Sequence, residues 1–327
     1  MQTVLVAGGA GYVGSHCCLR LVQAGFTPVV VDNLSNGHAE FVQWGPLELC
    51  DIADSPGLDA IFAKHKPVAL LHFAALIEVG QSVKIPGAFY ANNVGGAVSL
   101  IEAARRAGVN AMVFSSTCAT YGDPQTPLLS EDHPQNPLNP YGRSKLMVEQ
   151  VLADLDRYVG FRSASLRYFN AAGADFEGRI GERHHPETHA IPLAIRAAMA
   201  KSGGFKVFGQ DYPTPDGTAV RDYVHVLDLA DAHVKALQHL LDGGASVQLN
   251  LGTGVGTSVM ELVAAIERVS GEPMKAAVAP RREGDASVLV ADNAKAKRVL
   301  GWEPQYNLDD IIRSAWAWHE REGLGQA

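Results

Sequence analysis

The stretch Thr3-Val4-Leu5-Val6-Ala7-Gly8-Gly9-Ala10-Gly11-Tyr12-Val13-Gly14 decides how this chain folds. Its first five residues form a nearly apolar run without alternation, which reads as a strand buried on both faces. The spacing Gly9-x-Gly11-x-x-Gly14 then predicts a tight turn, with a helix through Leu21 behind it. Glycines at these places let a pyrophosphate approach the helix N-terminus, where unpaired N–H groups point outward. Alone the pattern is weak, but its context is the required one: a strand before it and a helix after it. A second strand, Val29-Val30-Val31, ends in Asp32. That acid lies about 20 residues past the turn, where it would take the ribose hydroxyls of a dinucleotide and repel a 2′-phosphate. The spacing therefore predicts NAD rather than NADP.

A second stretch, Asn139-Pro140-Tyr141-Gly142-Arg143-Ser144-Lys145, opens another helix. Pro140 fits the first helical position, and Tyr141 and Lys145, four apart, share one face. A phenol with a pKa near 10 is a poor base at neutral pH, and a nearby ammonium stabilises the phenolate. A shift of about three pKa units asks roughly 4 kcal/mol of the site. Lys145 is expected to supply part of it, and a cationic nicotinamide ring more.

Between these stretches, Leu47 to Ile52, Val68 to Ala75 and Ala111 to Thr117 read as strands, and 88–106 as a helix carrying Asn92 and Asn93. The strand at 111–117 delivers the hydroxyls of Ser115, Ser116 and Thr117 to its end. His72 reads as a packed histidine. The helix from Tyr141 runs to about Tyr158, and Ser163 to Tyr168 is a further strand. Alternating strands and helices predict an α/β protein with a doubly wound parallel (Rossmann) sheet.

After Asn170 the rhythm breaks, which predicts a smaller C-terminal α/β substrate domain. The expected division is 1–170 for the NAD-binding domain and 171–327 for the substrate domain, with about 219–252 crossing back to the first. Glu182, Arg183, His184, His185, Glu187 and His189 read as a solvated or substrate-facing loop rather than a metal site, because their order matches no familiar ligand motif. A helix is expected from about Ile191 to Ser202, and short strands at 205–209 and 221–226. Arg221 suits a bidentate phosphate contact. Gly252-Thr253-Gly254-Val255-Gly256 resembles a nucleotide turn, yet Ser258-x-x-Glu261 after it is a capping box whose helix ends at Gly271. The segment is read as a strand-to-helix turn. Arg281-Arg282-Glu283-Gly284-Asp285 is a candidate anion contact, and Asp309 to Glu322 an amphipathic helix that packs through Trp316 and Trp318.

Composition narrows the function classes. The 327 residues are 47% hydrophobic, mean hydropathy is near zero, and the net charge is -8. An acidic chain argues against nucleic acid as a partner. The four cysteines include no C-x-x-C pair, so neither a disulfide framework nor a zinc motif is expected. No run of about 18 apolar residues exists, and the first residues lack a basic leader, so no membrane span is expected and the location is read as cytoplasmic.

With these pieces in place, the chain resembles the nucleotide-sugar epimerases of the extended short-chain dehydrogenase/reductase family. The segments that carry the resemblance are Gly8 to Gly14, which also satisfies that superfamily's Gly8-x-x-Gly11-x-x-Gly14 variant, Asp32 to Gly37, His72 to Ala75, Phe114 to Thr117, Tyr141 to Lys145, Arg167 to Asn170, Gly217 to Tyr223 and Arg281 to Asp285. The last three are the narrowest. The resemblance implies that Gly8, Gly11, Tyr12, Val13 and Gly14 cover the pyrophosphate, and that Asp32, Asn33, Leu34, Ser35, Asn36 and Gly37 hold the adenosine. Asp51 and Ile52 would flank the adenine. Phe73, Ala74, Ala75, Asn92, Ser115, Tyr141, Lys145, Tyr168 and Phe169 would line the rest of NAD. Tyr141, Lys145 and Thr117 would be catalytic, with Thr117 and Tyr141 on the sugar. Asn170, His189, Phe208, Arg221, Arg282 and Asp285 would hold the UDP.

The activity implied is reversible inversion at C4 of a UDP-sugar, of the UDP-glucose and UDP-galactose kind, through a 4-keto intermediate and a retained NAD. A homodimer is also implied. Three departures from the family pattern stand out: Thr117 replaces a serine, Ile77 stands where a lysine is common, and Val288 stands where a tyrosine often closes the sugar pocket. A small residue there leaves room for an N-acetyl group, while Cys118-Ala119-Thr120-Tyr121-Gly122 resembles the branch acting on UDP-xylose and UDP-arabinose. A 4,6-dehydratase would want an Asp-Glu pair after Thr117, where Cys118 and Ala119 stand. A non-catalytic NAD-binding regulator would not need Tyr141 and Lys145 intact.

Overall fold

The apolar runs at 3–7, 29–31, 69–72, 111–117 and 163–168 become neighbouring strands of one sheet. The computed structural model describes residues 1–200, 204–281 and 286–323. The chain begins with β1 (Gln2–Ala7), α1 (Tyr12–Gln23), β2 (Phe26–Asp32), β3 (Leu47–Leu49), α2 (Ser55–His65) and β4 (Ala69–His72). It continues through α3 (Val79–Ser82), α4 (Pro86–Tyr90), α5 (Ala97–Arg106), β5 (Ala111–Thr117), α6 (Pro140–Val159), β6 (Arg162–Tyr168) and β7 (Asn170–Ala172). Then follow α7 (Ala190–Ala200), β8 (Phe205–Phe208), β9 (Val220–Arg221), β10 (Tyr223–His225), α8 (Val226–Leu241) and β11 (Val247–Leu251). The last elements are β12 (Thr257–Ser258), α9 (Val259–Ser270), β13 (Ala276–Ala279), β14 (Val288–Leu289), α10 (Ala294–Leu300) and α11 (Leu308–Arg321).

The central sheet has seven parallel strands in the order β11-β6-β5-β4-β1-β2-β3. Its register aligns the carboxyl ends: Ala7 sits opposite Val31 and His72, and Thr117 opposite Tyr168. Loops leaving β1, β2, β4, β5 and β6 therefore share one edge, and the order reverses between β1 and β4, where ligands of open α/β sheets bind. One face packs Cys17, Cys18 and Leu21 of α1 with Leu229, Val234 and Leu237 of α8. The other buries Leu58 and Phe62 of α2, Leu100 and Ile101 of α5, and Val148 and Leu152 of α6. A further core joins α7, α9 and α11 through Ile195, Ile266 and Ile312.

Several expectations change in detail. The helix expected over 88–106 starts at Pro86 and has a π-helical turn at Ala91–Gly96. There Asn93, buried, bonds both the backbone N–H and the carbonyl of Leu76, at 2.8 and 2.9 Å. Asn93 thus holds the loop after β4, and Asn92 donates to it at 2.9 Å. The strand expected over 221–226 is two short strands, with Asp222 between them and a helix from Val226. The cause is local: His225 caps that helix, its Nδ1 accepting from the N–H of Leu227 at 3.1 Å. Sequence reading had no helix over α8; in the structure α8 covers α1, and β11 adds the edge strand beside β6. The Gly252–Gly254 turn is held by the protein itself, since Thr253 and Gly254 donate their N–H groups to the Asp222 carboxylate at 2.8 and 3.0 Å. The capping box at Ser258 and Glu261 is present, and the helix ends in left-handed Gly271.

Candidate active site

The dinucleotide turn is shaped by contact. A Cβ on Gly14 would stand 2.2 Å from the Gly8 carbonyl oxygen, and one on Gly8 would stand 2.4 Å from the Ala74 nitrogen. Both exclude any side chain, so α1 starts directly over the ends of β1 and β4. Gly11 occupies the N-cap with no side-chain cap, and the first turn carries no acid. Its N–H groups and positive dipole end are left for an anion, which fits a dinucleotide pyrophosphate.

The Asp32 carboxylate accepts from Ala10 N at 3.1 Å and Leu34 N at 2.9 Å, which fixes it beside the turn. Leu34 takes a left-handed conformation, φ 58°, and the loop folds back until His38 N reaches Ala10 O at 2.9 Å. Gly37 is required there, because a Cβ would stand 2.8 Å from Asp32 Oδ1. Asn33 donates to Asp51 at 2.7 Å, and Ser35 N donates to Asn33 at 3.0 Å. Ile52 is buried beneath, packed on Gly96. The residues proposed for adenosine, Asp32 to Gly37 with Asp51 and Ile52, thus come together at one rim.

The hydroxyl cluster lies at the ends of β5 and β6. Asn139 caps α6 by accepting from Gly142 N at 2.9 Å, and this aims Tyr141 and Lys145 at β5. The Tyr141 phenol faces the Thr117 side chain, which opposes the rise that burial imposes on it. Lys145, 3% exposed, donates to the Ser115 carbonyl at 2.8 Å, and Ser115 Oγ is bonded to the Tyr168 hydroxyl. Burial lowers Lys145 to about 7, opposed by the Glu149 carboxylate. Burial likewise raises Tyr141 to about 12. Lys145 does not figure among the groups that shift the phenol in the chain alone. The ammonium is spent on Ser115 and is itself disfavoured by burial, so the phenol stays neutral on the chain's own resources. His72, buried with Nδ1 unbonded, lies beneath and is lowered to about 3 by burial and then by Lys145.

Sequence reading missed what stands behind this cluster. Arg167 and Glu149, each 4% exposed at the side chain, are paired, with Arg167 Nε 3.0 Å from Glu149 Oε1. Ser116 Oγ also donates to Glu149. Arg167 continues to the Tyr121 hydroxyl at 3.0 Å, which reaches Asn250 at 2.6 Å. A sequence signal existed: Glu149 follows Lys145 by four residues on one helix face, one turn deeper into the core.

The proposed substrate residues arrive from four segments. Asn170 N bonds Asp222 O at 3.0 Å, which brings β7 beside β10. Arg221 lies opposite Thr257 and Leu289, and Val288 opposite Val220. Leu289 packs with Cys118, Tyr121 and Phe169, so the Val288 strand sits against the end of β5. Arg221 is close enough to oppose, through its charge, the rise that burial imposes on the Cys118 thiol. Leu129 lies beside Ala291, with Leu129 N on Val290 O at 2.9 Å, which stitches the Pro-rich loop before Tyr141 to the segment just after that strand. Phe208 ends β8, paired with Ala279 of β13 in a separate two-stranded sheet. His189 lies among Glu182, His184 and Glu187, a group that reaches the dinucleotide turn through His184 against Tyr12. Arg282 and Asp285 lie outside the described residues. Of the solvated or substrate-facing loop expected over 182–189, two members are not solvated: the side chains of Glu182 and Glu187 are 6% and 1% exposed.

Comparison with known proteins agrees with this geometry. Residues 4–252 match the model of the NAD dependent epimerase/dehydratase family, and the chain belongs to that family. A UDP-glucose 4-epimerase of Rhizobium leguminosarum bv. trifolii is 66% identical over 320 residues, 98% of each chain. The structure of UDP-glucose 4-epimerase from Brucella ovis in complex with NAD is 49% identical, with a TM-score of 0.94 over 97% of this chain and 98% of that one. The UDP-glucose 4-epimerase of Stenotrophomonas maltophila, with bound NAD and formylated UDP-arabinopyranose, is 42% identical, with a TM-score of 0.96 over 99% of each.

Replacing Glu149 by Gln leaves Arg167 buried without its counter-charge. Removing one partner of a buried pair costs about 3–5 kcal/mol. Glu149→Gln is expected to lower the unfolding free energy by that amount, read by urea titration; a loss under about 1 kcal/mol would remove the pair's structural importance.

Proposed function

We propose that the chain inverts C4 of a UDP-sugar, and that Tyr141 is the group that moves the proton. The protein is an NAD-dependent UDP-sugar 4-epimerase of the UDP-glucose and UDP-galactose kind. The observation that carries the catalytic assignment is the convergence of Tyr141 and buried Lys145, on one face of the capped α6, with Ser115 and Thr117 at the end of β5 on the edge shared with the glycine turn.

The uncapped start of α1 would hold the NAD pyrophosphate, Asp32 its adenosine ribose, and the region of Phe73, Ser115 and Lys145 the rest. Bound there, NAD supplies a reversible hydride acceptor and a cationic ring. Tyr141 takes the proton of the sugar 4-hydroxyl and returns it, and Thr117 holds the phenol oxygen in line. Lys145, fixed by the Ser115 carbonyl, keeps positive charge near the developing phenolate. Asn170, Arg221 and Phe208, with Arg282 and Asp285, would anchor the UDP. Anchoring the nucleotide while contacting the sugar little lets the keto sugar present either face.

The working form is proposed to be a cytoplasmic homodimer. Val79, Val83 and Ile85 around α3, Val98 on α5 and Met147 on α6 leave apolar surface exposed, which supports such a contact. Light scattering is expected to give about twice 34.8 kDa, and a monomeric mass at working concentration would reject it.

The function is tested with purified protein and UDP-galactose without added NAD. Turnover is expected, and no activity in protein that carries NAD would reject the reading. Tyr141→Phe should cut turnover about 10²- to 10⁴-fold, as loss of a general base does, with NAD still bound. Near-normal rates would remove Tyr141 from that role. Val288 is proposed to leave room at the sugar's C2 substituent. Val288→Tyr should suppress any activity on UDP-N-acetylhexosamines while sparing UDP-galactose; equal effects on both would reject the gate.

A further inference from the structure

The side chains of Glu182, His184, Glu187 and His189 converge in the segment between β7 and α7. One oxygen or nitrogen from each lies within 4.8 Å of the others. Glu182 Oε1 is 2.9 Å from His189 Nδ1 and 3.4 Å from His184 Nδ1. Glu187 Oε1 is 2.9 Å from His189 Nδ1, and its Oε2 is 3.8 Å from His184 Nδ1. Donors bound at about 2.0–2.1 Å on a tetrahedral ion stand about 3.3 Å apart, and these spacings bracket that value.

Two further observations point to a ligand. The Glu187 side chain is 1% exposed, yet its Oε2 has no hydrogen-bond partner among the described residues. His184 Nδ1, facing the same space, has none either. Unbonded buried atoms of this kind are costly, and a carboxylate more so. Two carboxylates removed from water also need two positive charges close by. Two protonated rings would meet that need, since Glu182 and Glu187 raise His184 and His189 against burial; one divalent ion with both rings neutral meets it as well and also satisfies both unbonded atoms.

We propose that Glu182, His184, Glu187 and His189 bind one divalent transition-metal ion of the zinc class. Two imidazole nitrogens and two carboxylate oxygens suit such an ion better than Mg²⁺ or Ca²⁺, which take oxygen ligands. Four protein ligands close the shell, so the ion is structural rather than a Lewis acid for substrate. Its place explains its effect. The Glu182 carbonyl accepts from Trp318 Nε1 at 3.0 Å, and His38 Nε2 lies 3.1 Å from the Arg183 carbonyl. Tyr12 meets His184 edge-on and donates to the Gly173 carbonyl at 2.6 Å. An ion here fastens this segment against the dinucleotide turn on one side and α11 on the other. It uses Nδ1 of His189 and leaves Nε2 for another partner.

The test uses the intact, NAD-containing protein. Protein equilibrated with Zn²⁺ and freed of excess by gel filtration is expected to keep about one equivalent, measured by mass spectrometry of the metal. Substitution with Co²⁺ should give the intense visible bands of a four-coordinate ion. His184→Asn and Glu187→Gln should each weaken Zn²⁺ binding at least tenfold, with NAD content reporting that the variants fold. Zinc at background level in the wild-type protein, or equal retention by folded variants (an adventitious ion only), would overturn the site. Should both variants fail to fold, the wild-type Co²⁺ spectrum decides: six-coordinate or absent bands overturn it. None of these readouts involves turnover, so their failure would leave the epimerase reading standing.

Discussion

Where α1 passes over β1, Gly14 and the Gly8 carbonyl are so close that a single methyl group would collide at 2.2 Å. This approach is the constraint the rest of the edge depends on. It puts the start of a helix, with free N–H groups and no acid in its first turn, directly above the aligned strand ends. Asp32, Phe73, Ser115 and Tyr168 follow from that placement, because parallel register brings their strand ends to the same line. The rest of the sheet, with a helical layer on each face, serves to keep that line straight.

The electrostatics of the hydroxyl cluster have a definite direction. Burial raises Tyr141 to about 12 and lowers Lys145 to about 7, so each group is pushed toward its neutral form. The proposed reactive pair of phenolate and ammonium is the state that burial disfavours in the bare protein. A cationic ring beside the phenol favours the phenolate but works against a charged Lys145. Glu149 answers that second effect, since its carboxylate favours the ammonium from one turn below. A sequence motif of a tyrosine and a lysine is thus incomplete without the acid that follows the lysine and the arginine that holds that acid.

Much of this was legible beforehand because it is local. The glycine spacing, the apolar strands, Asp32 at a strand end and the Tyr141–Lys145 face each depend on residues close in sequence. The Ser258 and Glu261 capping box is of the same kind. What stayed hidden depends on long-range pairing. Arg167 meets Glu149 across the sheet, and Asn93 bonds a loop 17 residues away. The helix over 226–241 escaped notice because its cap is a histidine, an uncommon N-cap. The Glu182 to His189 segment reads as polar loop, and only folding shows that two of its carboxylates face inward. The proposed uridine end is the least legible, because Phe208 and Arg221 lie on separate small sheets whose pairing no local pattern announces.

The bridge between Leu129 and Ala291 has a consequence for anyone who re-engineers this pocket. It joins the loop before Tyr141, the proposed proton-transfer group, to the segment that follows the Val288 strand. On the proposed roles of Val288 and Tyr141, size selection and chemistry are not independent modules. A graft that imports a neighbour's pocket wall without the proline-rich span it is sewn to would shift the phenol as well. Transplants should move both pieces as one unit.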